Sequence, residues 1–255
     1  MNLNLSVKYQ LHDSKKPLVV FYSVLFLSTL IIILLTGFSK NSVVSVKGSL
    51  QGLEMASAVF LFVAGLTSFR EIFRLFVQNG VSRKALFLGR LITVACISMG
   101  MSLIDNMAAR FFRAILPAGG RLEYMSLFEM LYGSRYASRS SGFLRLFEGI
   151  LLMFTIYVGL SMIGYFITTL YYRMQKGTKI AVSIGVPAFL FILLPMVDSY
   201  VFGGALGRAI EKFLLFAFGF LNGANPYYAM VTMLLIFAVF SGLSWLLVRK
   251  AVVKD

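Results

Sequence analysis

The sequence predicts an all-α integral membrane protein with six transmembrane helices, on three observations. Of its 255 residues, 59% are hydrophobic and only 13% charged, and the mean hydropathy of +0.85 lies far outside the range of a soluble globular domain. The apolar residues are gathered into long runs, and a helix needs about 20 of them to cross a hydrocarbon core about 30 Å thick. The runs are continuous rather than alternating, which selects helices over a closed barrel, the other architecture that satisfies its own backbone in lipid.

Read in order, the spans fall at roughly 17 to 38, 50 to 68, 85 to 107, 147 to 171, 180 to 203 and 226 to 248, bounded by charges, Gly or Pro. The first, Pro17 to Phe38, is too long for the apolar region of a secretory signal, and Gly37, Phe38 and Ser39 are a poor cleavage site, so it reads as an uncleaved anchor. Gly149, Gly159 and Gly164 on the fourth span allow close helix approach. Pro187 and Pro195 in the fifth can kink it and free carbonyls, as suits a helix lining a moving pathway and also a passive bundle. Together the spans make one membrane-embedded domain, 1–255, with no internal repeat and no soluble module.

Orientation follows from the basic residues. With both termini inside, the inner side collects Lys8, Lys15, Lys16, Arg70, Arg74, Arg83, Lys84, Arg90, Arg173, Lys176, Lys179, Arg249, Lys250 and Lys254, whereas the short outer loops hold Lys40, Lys47, Arg208 and Lys212. The long outer connection, 108 to 146, argues back with Arg110, Arg113, Arg121, Arg135, Arg139 and Arg145, but long loops weigh less. Its arginines can pair with Glu123, Glu129 and Glu148, bind outer-leaflet phosphates, or face a translocation exit and favour anionic substrates. Glu54, Asp105 and Asp198 sit near outer helix ends, where they are candidates for a pathway or outer gate with Arg110, Arg113, Pro187 and Pro195; snorkelling or an Arg partner is the plainer account.

Catalytic equipment is almost absent. There is no GxxxxGK[ST] loop, HExxH or GxSxG, and the lone His12 and lone Cys96 exclude a His- or Cys-based metal cluster and a disulfide framework. No enzyme activity, cofactor or metal is expected on this chain. The net charge of +14 flanks apolar runs, which points to anionic lipid headgroups rather than nucleic acid.

One stretch stands out: REIFRLFVQNGVSRKALFLGR, Arg70 to Arg90. Ile72, Phe73, Phe76 and Val77 share one helical face, while Arg70, Glu71, Arg74 and Gln78 take polar positions. Asn79 and Gly80 tolerate the left-handed conformation that ends a helix, and Ser82 can N-cap the next span, which restarts near Arg83. The expected result is a bent helix-turn-helix at the cytoplasmic face. A connecting loop with positive-inside anchors fits the same residues.

This run resembles the segment between the second and third spans of ABC-2 type permeases, the membrane subunits of many ABC exporters. Glu71 stands where that family begins its amphipathic coupling helix, Asn79-Gly80-Val81 at the turn, Ser82-Arg83 after it, and Leu88-Gly89-Arg90 at the Gly-basic pair. The resemblance implies that Arg70, Glu71, Phe73, Arg74, Phe76, Asn79, Gly80, Ser82 and Arg83 form the ATPase-coupling element, with Glu71, Phe73, Arg74 and Phe76 touching a groove on the motor. It further implies two copies of a cytoplasmic ATPase that carry ATP and magnesium, a second permease or paralogue, and a bacterial cell membrane. On that reading, Glu71→Arg or Phe73→Asp uncouples the ATPase and leaves insertion intact.

Between spans five and six, Gly203 to Pro226 holds an apolar core, Phe213 to Leu221, too short to cross and bracketed by glycines. It reads as an interfacial or re-entrant helix pair, which ABC-2 permeases also have, or as an amphipathic surface helix. The function expected is export of an amphipathic or hydrophobic substrate: a peptide, drug or lipid-like molecule. Two other classes fit: a secondary transporter or channel, and a non-transporting immunity or scaffold protein.

Overall fold

The computed structural model describes residues 3–38, 48–116, 122–136 and 142–251; Ser39, Lys40, Lys47, Arg121, Arg139 and Lys254 lie outside the described residues. The chain is almost entirely helical, with α1 (Leu3–Phe38), α2 (Glu54–Thr67), α3 (Arg70–Gln78), α4 (Arg83–Ile115), α5 (Leu127–Tyr132), α6 (Gly142–Arg173), α7 (Lys176–Ala188), α8 (Leu194–Val201), α9 (Ala205–Ala217) and α10 (Pro226–Arg249). Among the described residues, five helices are long and apolar enough to cross a membrane, or six if the bent pair α2–α3 is one span.

Helix α6 is the hub, packed against α2, α4 and α10. Lipid offers no hydrophobic reward for helix association, so close backbone contact must hold the bundle. Gly65 on α2 and Gly164 on α6 supply it: a Cβ on Gly65 would strike the Ser161 carbonyl, and one on Gly164 the Phe62 carbonyl. Gly159 lies against the Met233 carbonyl of α10, and Gly149 against Asn106 and Phe128, so all three expected small-residue positions are contact points. Tyr157, Met162 and Tyr165 on α6 are buried at successive levels of the core.

The structure departs from the sequence reading at four places. Helix α1 starts 14 residues before Pro17, because its polar first turns dock on α4: Gln10 Nε2 donates to the Leu86 carbonyl at 3.4 Å, and Ser6 packs where a Cβ on Gly89 would be. The expected second span is not one helix. Leu50 and Gln51 belong to β1 (Gly48–Gln51), which pairs in parallel with β2 (Leu122–Met125), Leu50 opposite Tyr124; the 14 residues of α2 are then only about 21 Å long, and α3 leaves it at 42°. The apolar core Phe213 to Leu221 is divided, because α9 ends at Ala217 and Gly219, at φ 77°, turns into a single 3-10 turn at Phe220–Asn222. Third-span and fourth-span helices run several residues beyond their expected ends, to 83–115 and 142–173.

The expected fifth span is a continuous helical stretch over Lys176–Val201, with a π-helical stretch, Phe189–Leu193, between Pro187 and Pro195. Pro195 has no N–H to give, and the wider π turn absorbs the break, with Leu194 N donating to the Phe189 carbonyl. No residue of α7 or of the π stretch is buried.

Candidate functional site

The Arg70–Arg90 segment is built as a fixed elbow. Arg70–Gln78 is helical, as the periodicity expects, and its end is a Schellman motif: Val81 N donates to the Phe76 carbonyl at 2.9 Å and Gly80 N to the Val77 carbonyl at 3.1 Å. Gly80 alone takes the left-handed conformation, at φ 69°; Asn79 stays at φ −89° and its Nδ2 donates to the Leu75 carbonyl at 2.7 Å. Ser82 then caps α4, its Oγ accepting from Ala85 N at 3.2 Å. Arg83 reaches across to the last turn of α10, where Nη1 donates to the Arg249 carbonyl at 2.6 Å; a guanidinium there suits the negative end of the helix.

The apolar face of α3 is turned inward. Phe73 is 0% exposed and Phe76 4%, so neither side chain is available to a partner, contrary to the contact role expected of them. Phe73 stacks on Phe69 with centroids 5.0 Å apart, both meet Tyr172 edge-on, and Phe69 meets Tyr165 of α6 in the same way. Val81, Leu86, Phe87, Met162 and Val248 complete this core. What α3 presents outward is Arg70, Glu71, Arg74, Leu75 and Gln78. The amphipathic pattern marked the element correctly but could not say that the bundle itself occupies the apolar face. Next to it, Arg90 is buried with its guanidinium over the Tyr165 ring, 5.6 Å from the centroid.

At the opposite end of the bundle a second constellation forms around two carboxylates. Glu54 opens α2 and Asp105 lies on α4; they are 4% and 6% exposed. Tyr157 of α6 donates to Asp105 Oδ2 at 2.5 Å and Tyr22 of α1 to Oδ1 at 3.0 Å. Glu54 accepts from Tyr124 of β2 at 3.3 Å and from the Leu127 amide at 3.2 Å. The β1–β2 pair therefore has a function in the site: it delivers Tyr124 to the mouth of α2. Burial, then the neighbouring Glu54 charge, pushes the Tyr124 phenol well above its ordinary value. Neither carboxylate has an ion-pair partner among the described residues, so the expected snorkelling or Arg pairing is replaced by tyrosine hydroxyls. Sequence reasoning missed Tyr22, Tyr124 and Tyr157; a tyrosine at the same depth as an intramembrane carboxylate is the signal that was present.

The remaining candidates have other duties. Asp198 sits at the N-terminus of α9, accepting from the amides of Leu206 and Gly207 at 2.8 Å each, and so caps that helix. Arg113 and Arg145 both pair with Glu129, and Glu148 is taken by Tyr227, whose hydroxyl donates at 2.7 Å. Arg135 donates to Asn225 at 2.6 Å. Arg110 is exposed and lines a basic pocket of about 450 Å³ with Arg113, Glu129 and Arg145. Pro187 and Pro195 are both exposed on the helical stretch Lys176–Val201. Among the described residues no group of His, Cys, Asp and Glu side chains could hold a metal ion.

Compared with protein-family models, curated proteins and solved structures, the chain has no match.

Proposed function

We propose that the chain is the permease subunit of an ATP-driven exporter, with both termini on the cytoplasmic side, six spans counting α2–α3 as one, and α3 as the element that meets a separate ATPase. The observation that carries this reading is the construction of α3. A nine-residue helix is held at 42° to α2, locked by a Schellman motif and an aromatic core, and presents a charged edge of Arg70, Glu71 and Arg74. A plain connecting loop needs none of that rigidity, whereas a lever that passes force from a motor into α2, α4 and α6 does.

In this scheme Phe73 and Phe76 weld the lever to the bundle, and Arg70, Glu71, Arg74, Leu75 and Gln78 are the motor contact. ATP and magnesium bind to two copies of the partner ATPase, and this chain performs no hydrolysis. The exposure of α7 and of most of α1 supports a second permease, identical or paralogous, completing the pathway in a bacterial cell membrane; nucleic acid is not a partner. The substrate class is amphipathic or hydrophobic. The test is recovery of an ATP-hydrolysing subunit with the chain from native membranes, and its loss in Glu71→Arg.

A secondary transporter is the competing reading, favoured by the buried Glu54 and Asp105 carboxylates inside apolar helices. Transport that survives ATP depletion and collapses with the ion gradient would select it.

A further inference from the structure

We infer that the groove between α1 and α4 is a binding site for an amphipathic organic cation, with the cationic head at Glu54 and Asp105. This deepens the permease reading by naming a substrate class, but the binding itself does not require an ATPase.

The groove is a cavity of about 810 Å³ lined on α1 from Leu11 to Phe26 and on α4 from Cys96 to Phe112, a length of about 22 to 24 Å at 1.5 Å per helical residue. That is most of a hydrocarbon core, and large for a site of small-molecule size. Its walls are apolar: Leu18, Val19, Phe26, Ile97, Met101 and Ile104. Polar chemistry is concentrated at one end, where Glu54, Asp105, Tyr22 and Tyr124 line it together. Among the described residues the only cationic one in the lining is Lys15, seven residues before Tyr22 on α1.

Three observations point to a cation rather than a neutral lipid tail. First, the two carboxylates are buried without an ion-pair partner among the described residues, and a buried charge in lipid calls for a counter-charge. Second, Ser57, fully buried three residues after Glu54 and beside Asp105 and Tyr22, adds one more oxygen to the acids' end. Third, Tyr22 and Tyr124 add π faces beside the acids, which attract organic cations in a desolvated site. An ammonium or phosphonium head would neutralise the carboxylates while its apolar body fills the groove.

Gly100 offers a test that leaves the acids untouched. It lines the cavity, and a Cβ there meets nothing within 4 Å, so Gly100→Trp has room to start its side chain into the groove, and its unfolding midpoint beside that of wild type shows whether the bundle is kept. The experiment is equilibrium binding of tetraphenylphosphonium to the full chain in phosphatidylcholine nanodiscs without any ATPase. Wild type is expected to bind saturably, and Glu54→Gln, Asp105→Asn and Gly100→Trp to weaken binding by at least about tenfold. Absence of saturable binding to wild type, or unchanged affinity in Gly100→Trp, would overturn the inference. Saturable binding in a chain that recovers no ATPase would uphold the site and reject only the permease reading.

Discussion

Phe73 on α3 stacks on Phe69, ring centroids 5.0 Å apart and planes 23° from parallel, with Tyr172 of α6 edge-on to both. The helix that looks most like a free docking element is therefore bonded to the bundle through the very residues that make it look free. Phe73→Asp places a charge in a site with no exposure, at a cost of about 3 kcal/mol or more. Contrary to the sequence expectation, such a variant should lose yield and melt earlier, whatever it does to a partner. Thermal unfolding in detergent checks this; a Phe73→Asp chain as stable as wild type would refute the packing.

The crossing of α2 and α6 rests on Gly65 and Gly164, where backbone meets backbone. Gly164→Leu has no flexible side chain to push aside, so its cost should exceed the usual 1–3 kcal/mol or so for overpacking. Gly100→Ala, with open space at its Cβ, should instead be neutral or stabilising by up to about 1 kcal/mol. Paired unfolding curves of the two variants measure the contrast.

Tyr157→Phe removes the shortest hydrogen bond to Asp105 and leaves a buried carboxylate short of a donor. The expected loss is about 1–3 kcal/mol. Tyr22→Phe removes the longer bond from the less buried ring and should cost less. Denaturation midpoints in one detergent rank the two, and equal effects would argue against the geometry described.

Asp198→Ala frees the first turn of α9, with a loss of about 1 kcal/mol confined to the 198–217 region. Hydrogen exchange should quicken at the Leu206 and Gly207 amides while protection in α6 is unchanged. If the Asp198 carboxylate served transport rather than capping, exchange at those amides would stay as in wild type.

Much of this was legible in the sequence. The long apolar runs gave the helices, Gly80 and Ser82 gave the turn and cap, and Gly149, Gly159 and Gly164 gave the tight contacts. Burial of Phe73 was not legible, because an apolar stripe reads the same whether its occupant is the chain itself or a partner. The parallel pairing of Leu50 with Tyr124 spans about seventy residues between two four-residue strands, too short and too distant to leave a periodic signal. The depth of Asp198 alone suggests a gate. Its capping role depends instead on the Gly203-Gly204 turn downstream, which returns a helix N-terminus to the carboxylate.

The central claim is that the charged edge of α3 meets an ATPase, and the most direct measurement is site-specific photocrosslinking in native membranes. A photoreactive residue at Arg74 should capture an ATP-hydrolysing subunit, capture should fall sharply in Glu71→Arg, and a probe at Arg110, near the other end of α4, should not capture it. Failure of the Arg74 probe to capture any ATPase, in membranes where the chain is folded and at normal yield, would contradict the account.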